Sequence, residues 1–153
     1  MIDAMDVAKW FVAYSETDES GEAGLTNLKL QKLLYFAQTR YFVLTGTPLF
    51  ENEMQAWAHG PVIPDVYHSF KSFGSNILNL ADDDQFDFDI FDEDTNQFLL
   101  EIWDTYGGIA AWKLRDMTHA ERDWADRYEP GLRNVTIPLI KRRARQPKVE
   151  ERS

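Results

Sequence analysis

The sequence contains no cysteine. That absence removes disulfide scaffolds, thiolate metal sites and cysteine nucleophiles together, and it agrees with a reducing compartment. Histidine is scarce as well: His59, His68 and His119 are the whole supply. None stands i, i+4 from another, so no His-Glu-x-x-His or other metal-ligand spacing arises. Gly107-Gly108 lacks the Lys-Ser/Thr or third glycine of a phosphate loop, and Ser69, Ser72 and Ser75 lack a nucleophile elbow. The expectation is a protein without catalytic residues, metal or cofactor. No apolar run approaches the roughly 20 residues that span a bilayer. The opening Met1-Ile2-Asp3-Ala4-Met5-Asp6 is acidic where a signal peptide is basic. A cytoplasmic protein with no membrane partner is expected.

Positive charge is also short. Residues 1–100 hold 5 basic against 17 acidic side chains, and the whole chain carries a formal net charge of -10. So acidic a body repels phosphate backbones, which disfavours direct nucleic-acid binding. The exception is the run Lys141-Arg142-Arg143-Ala144-Arg145-Gln146-Pro147-Lys148. It divides the chain into a domain over residues 1–140 and a basic tail over 141–153, and such a run reads as a solvated terminus.

What is abundant is apolar surface. The 153 residues are 44% hydrophobic, with 10 Phe, 6 Tyr and 5 Trp, enough to build the core of one domain. Val7, Trp10, Phe11 and Tyr14 form the stripe of a helix capped by Asp3. Thr26 caps a helix over 27–44 that is apolar nearly all round, as a central helix should be, with Gly46 and Pro48 closing it. Residues 50–56 alternate like a short strand. His59-Gly60-Pro61 turns the chain into a helix over 64–73 opened by Pro64. Between Asp82 and Asp94 eight of thirteen residues are acidic. There Phe86, Phe88 and Ile90 alternate with Asp87 and Asp89, the pattern of a second strand that would pair with 50–56. Thr95 is expected to cap a helix through Tyr106, and Trp112 and Leu114 mark another. Thr118 and Glu121 have the spacing of a capping box before Trp124 and Tyr128. Thr136 to Ile140 open a last helix. The fold class is mainly α: a compact single domain of about six or seven helices with at most one small β-hairpin.

Three stretches carry a resemblance. They are Leu25-Thr26-Asn27-Leu28-Lys29-Leu30-Gln31-Lys32-Leu33-Leu34-Tyr35-Phe36-Ala37-Gln38, then Ala56-Trp57-Ala58-His59-Gly60-Pro61-Val62-Ile63-Pro64-Asp65-Val66-Tyr67, then Leu114-Arg115-Asp116-Met117-Thr118-His119-Ala120-Glu121-Arg122-Asp123-Trp124. Together they resemble the Panacea domain, the antitoxin and phage-associated family that includes SocA-like proteins. The resemblance implies a non-enzymatic antitoxin that binds and neutralises a co-encoded protein toxin. Alternatives are an adaptor that delivers a partner to a protease and, third, a metal-dependent hydrolase. An acidic partner of this kind suits a toxin with a basic nucleic-acid or nucleotide site.

Two groups of candidate partner-binding residues follow. Tyr35, Trp57, His59, Gly60, Pro61, Tyr67, His119 and Trp124 lie in the shared motifs. Their simplest role is to fix the fold: His59 would hydrogen-bond backbone at the Gly-Pro turn, and with Trp57 pin that turn to the helix after Pro64. Trp57, Tyr67 and Trp124 suit the lining of a partner groove equally in kind. The second group, Asp82, Asp83, Asp84, Phe86, Asp87, Phe88 and Asp89, reads as a solvated acidic loop, or as carboxylates for a basic cleft on a segment anchored by Phe86, Phe88 and Ile90.

Overall fold

Helix α2, Asn27–Thr45, runs through the middle of the protein, whose residues 2–17, 24–80 and 86–139 are described by a computed structural model. Thr26 accepts the Lys29 amide at 3.2 Å at its start, and Gly46 at φ +78° ends it in the left-handed conformation that glycine adopts without strain. Helices α1 (Ala4–Ser15), α3 (Pro64–Ser69), α4 (Glu93–Tyr106) and α5 (Ala111–His119) all pack on α2, and the one-turn α6 (Arg122–Ala125) packs on α5. Val7, Phe11, Leu30, Leu33, Leu34, Tyr35 and Leu99 form the fully buried centre.

A helix buried on every side must spend its polar side chains on the segments wrapped around it. Gln38 donates to the Phe50 carbonyl at 2.6 Å and accepts the Leu49 and Phe50 amides at 2.8 and 3.2 Å. Gln31 accepts the Ile63 amide at 2.8 Å, and Asn27 donates to the Tyr67 carbonyl at 3.1 Å. These bonds satisfy loop backbone that would otherwise be buried unpaired.

The one hairpin among the described residues joins β1 (Gln55–Trp57) to β2 (Gly60–Val62), antiparallel, with Gln55 opposite Val62 and Trp57 opposite Gly60. The expected partner for this stretch, residues 86–90, is not a strand. Phe88–Ile90 form a 3-10 turn in which Asp87 accepts the Asp89 amide at 2.9 Å. The i, i+3 spacing of that turn brings Phe88 and Phe91 to one side, where both meet Phe86, at 5.2 and 6.0 Å between ring centres. A flat strand would have sent Phe91 to the opposite face.

Other boundaries differ in the same local way. Asp92, not Thr95, caps α4 by accepting the Thr95 amide at 2.7 Å, with Glu93 and Asp94 favourably placed at the helix N-terminus. Thr118 is inside α5, donating to the Arg115 carbonyl at 2.7 Å, so no capping box forms. The helix expected over 64–73 stops at Ser69 and continues as a 3-10 turn, Lys71–Phe73. Residues 135–137 are extended rather than helical. The Ala56 amide donates to the Val135 carbonyl at 2.9 Å and the Ile137 amide to the Met54 carbonyl at 2.8 Å. Ile140 and the basic tail over 141–153 lie outside the described residues. Among the described residues no helix is long and apolar enough to cross a membrane.

Candidate functional site

The hairpin turn, α3, α5 and α6 bring the first group of candidate residues together. Trp124 donates its indole N–H to the Trp57 carbonyl at 2.7 Å. The Trp57 ring meets Tyr67 edge to face at 5.0 Å, which fixes the turn to α3 as expected of that tryptophan. His119 stacks on Trp124 at 4.0 Å, and Tyr128 stacks on Trp124 at 4.8 Å. Trp57 in turn donates to Gln55 and to the Arg133 carbonyl at 3.0 and 2.8 Å, with the Arg133 guanidinium 4.4 Å from its ring centre. His59 does not share in this. It is exposed at the tip of the two-residue connection Ala58-His59.

Gly60 and Pro61 are buried beneath the turn. Gly60 has φ +114°, and a Cβ there would stand 2.8 Å from Lys32 Cε and 2.8 Å from Thr118 Oγ1. Only glycine meets both constraints. Tyr35, fully buried on α2, donates toward Glu121 at 3.0 Å and Asp123 at 3.3 Å, tying α2 to the start of α6. Glu121 also receives Arg40 at 3.2 Å. Burial works to lower the Arg40 pKa, but Glu121 and the Tyr106 hydroxyl outweigh it and hold it raised.

Several functional-looking side chains were not among the expected ones. Lys29 and Lys32 are 8% and 0% exposed. Lys29 donates to the Gly107 carbonyl at the C-terminus of α4, a favoured place for a cation. Lys32 donates to the Pro61 carbonyl at 3.3 Å, and its pKa is lowered from 10.5 to about 7, first by burial and then by Arg115. Burial, then Arg115 and Lys32, also lower the His119 pKa, against smaller opposing contributions from the Ala58 backbone and Asp116. The signal for the lysines was present: a helix apolar on every face offers no solvent face to a lysine inside it.

The acidic group lies elsewhere, against α1 and α4. Asp82, Asp83 and Asp84 fall outside the described residues. Phe88 meets Trp10 edge to face at 5.8 Å, and Phe86 packs on Phe88, so both phenylalanines are anchors, while Ile90 is 53% exposed. Asp87, Asp89, Asp92, Glu93 and Asp94 are exposed. Beside them a groove of about 360 Å³ is lined by Trp10, Tyr14, Phe88, Leu100 and Glu93, among others. Among the described residues no three His, Asp or Glu side chains are placed to hold a metal ion.

The family model for antitoxin SocA-like proteins, Panacea domain, matches residues 30–125. Antitoxin SocA of Caulobacter vibrioides (strain NA1000 / CB15N) is 48% identical over 58 residues, which is 37% of this chain and 31% of that protein. The chain therefore matches about a third of that relative's length. No solved structure matches.

Proposed function

The chain belongs to the antitoxin SocA-like, Panacea domain family, and from that premise we propose that it is an antitoxin that neutralises a co-encoded protein toxin by direct binding, without turnover. The observation that carries the mode of binding is the division of labour around residues 86–94. Phe86 and Phe88 are held by Trp10 and Phe91, while five neighbouring carboxylates face solvent on a chain of net charge -10. An anchored anionic face finds a cationic cleft quickly, because long-range attraction speeds encounter before short-range contacts form. A toxin acting on nucleic acid or nucleotides has such a cleft, and the acidic face occludes it by standing where the polyanion would. The motif residues Trp57, Gly60, Tyr67 and Trp124 act in this reading as the frame.

The test is co-expression with the product of the adjacent open reading frame, read as growth, followed by association kinetics across a salt series. Wild-type protein is expected to restore growth. Changing Asp82, Asp83, Asp84, Asp87 and Asp89 together to Asn is expected to slow association and flatten its salt dependence with the fold intact. Failure of the wild type to restore growth overturns the antitoxin reading. Unchanged kinetics in the variant moves the interface away from the acidic face.

A further inference from the structure

Beneath the Gly60-Pro61 turn three basic side chains from two helices converge: Lys32 from α2, with Arg115 and His119 from α5. Gly60 lies against Lys32 and Thr118 at distances that admit no Cβ, so the turn backbone closes one side of the cluster. The cluster grades outward. Lys32 is fully buried, whereas Arg115 and His119, one turn apart on α5, are half-buried, His119 against the Trp124 ring.

What sets it apart is that two of its nitrogens stand unpaired. Arg115 Nε and His119 Nε2 are both shielded from solvent with no hydrogen-bond partner among the described residues. The ion pairs among those residues are Arg40 with Glu121 and Arg122 with Asp126; neither includes Lys32 or Arg115. Carboxylates close in sequence are engaged elsewhere or exposed. Glu121 is drawn to Arg40 and Tyr35, Asp123 accepts Tyr35, and Asp116, which acts on His119 only as the smallest of the charges around it, is exposed. In a chain with 26 acidic and 16 basic residues, an internal counter-ion would have been easy to supply. Buried donors without acceptors are rare in folded proteins, because each forfeits its hydration without replacement.

We propose that Arg115 and His119, backed by Lys32, form a binding site for a carboxylate group. The planar guanidinium fork matches a planar carboxylate with two parallel hydrogen bonds, and His119, one turn along α5, adds a donor in the tautomer that carries its proton on Nε2. A monoanion also fits the charge available. The guanidinium supplies one charge, and Lys32, whose pKa is lowered to about 7 by burial, takes up a proton when an anion arrives. A tetrahedral dianion would ask for two firm charges and finds one. The site is independent of the acidic face, and it stands or falls without regard to the antitoxin reading.

The test follows the His119 ring signals by NMR on the full chain, titrated with sodium acetate, with a capped peptide bearing one glutamate, and with inorganic phosphate, each against sodium chloride at equal ionic strength. Acetate is expected to shift those signals saturably, and Arg115→Gln to weaken that binding about tenfold, which is about 1.4 kcal/mol. Glutamine keeps the hydrogen-bonding capacity and loses the charge. Lys32→Met, which tests the same site without touching the surface, is expected to weaken it less. A peptide that binds more tightly than acetate makes an acidic side chain of a protein the natural occupant; equal binding makes it a small free carboxylate. No saturable shift beyond that of chloride, phosphate bound as well as acetate, or full binding by a folded Arg115→Gln would each overturn the proposal.

Discussion

Replacing Lys32 with methionine isolates the free energy of a buried ammonium, since the two side chains have similar length and differ in charge. Lys32 is 0% exposed, donates to the Pro61 carbonyl at 3.3 Å, and has its pKa lowered from 10.5 to about 7 by burial and then by Arg115. The folded pKa is the lower one. Between about pH 7 and 10.5 the unfolded chain therefore binds more protons than the folded chain, and stability rises with pH through that window, by at most about 1.4 kcal/mol per unit. Below pH 7 both states are protonated and the penalty is at its full size, about 5 kcal/mol. At pH 7, where the folded lysine is half deprotonated, the penalty is about 4 kcal/mol; methionine removes it and forfeits one hydrogen bond worth about 1 kcal/mol, for a net gain of about 3 kcal/mol. For a chain of this size that raises Tm by about 10 °C. Urea unfolding followed by tryptophan fluorescence from pH 6.5 to 9.5 should show the wild-type curve climbing toward that of the variant, the two nearly meeting at the alkaline end. Parallel curves would refute the reasoning, because they would mean that Lys32 titrates alike folded and unfolded. So would a variant several kcal/mol less stable at pH 7.

Gly60→Ala must place a methyl 2.8 Å from Lys32 Cε and Thr118 Oγ1 on a backbone at φ +114°, and should cost about 2–4 kcal/mol; an unchanged melting temperature would show that the turn relaxes freely. Tyr35→Phe deletes the hydroxyl that meets Glu121 and Asp123 and should lower stability by about 1–3 kcal/mol, measured by urea denaturation. His119 has its pKa lowered by burial first, so as pH falls below 6.5 the unfolded chain takes up a proton that the folded chain resists, and stability falls. His119→Gln should flatten the stability curve between pH 5 and 6.5, and an identical slope in both proteins would remove this histidine as the cause.

Helix periodicity and caps made α1 and α2 legible, because Asp3, Thr26 and Gly46 act through bonds to backbone only a few residues away. The same logic failed at Thr118 and Glu121, where a distant partner wins. Glu121 meets Arg40 and Tyr35 of α2, contacts that sequence spacing does not encode. The alternation over 86–90 was equally misleading, since phenylalanines two apart suit a strand while Phe88 and Phe91, three apart, suit the turn that Trp10 packs against. The motif tryptophans were recognisable as important, and Trp57 does fix the turn to α3. Tyr128, four residues from Trp124, was legible too, but Arg133 as the partner of Trp57 was hidden, because that pairing joins segments far apart along the chain.

The extended segment at 135–137 gives the hairpin a covered outer edge, since Val135 and Ile137 bond the backbone of Ala56 and Met54. Seen as an event in synthesis, the edge of β1 emerges from the ribosome long before the segment that shields it. Until then its backbone groups are open to pairing with another nascent chain, the ordinary hazard of an unshielded strand. The aromatic frame is finished equally late, because the Arg133 carbonyl that receives Trp57 arrives just ahead of the covering segment. Completion of the fold is thus tied to the last stretch of the described chain, and release of a chain cut short before Val135 would leave a template for aggregation where the full protein has a closed seam.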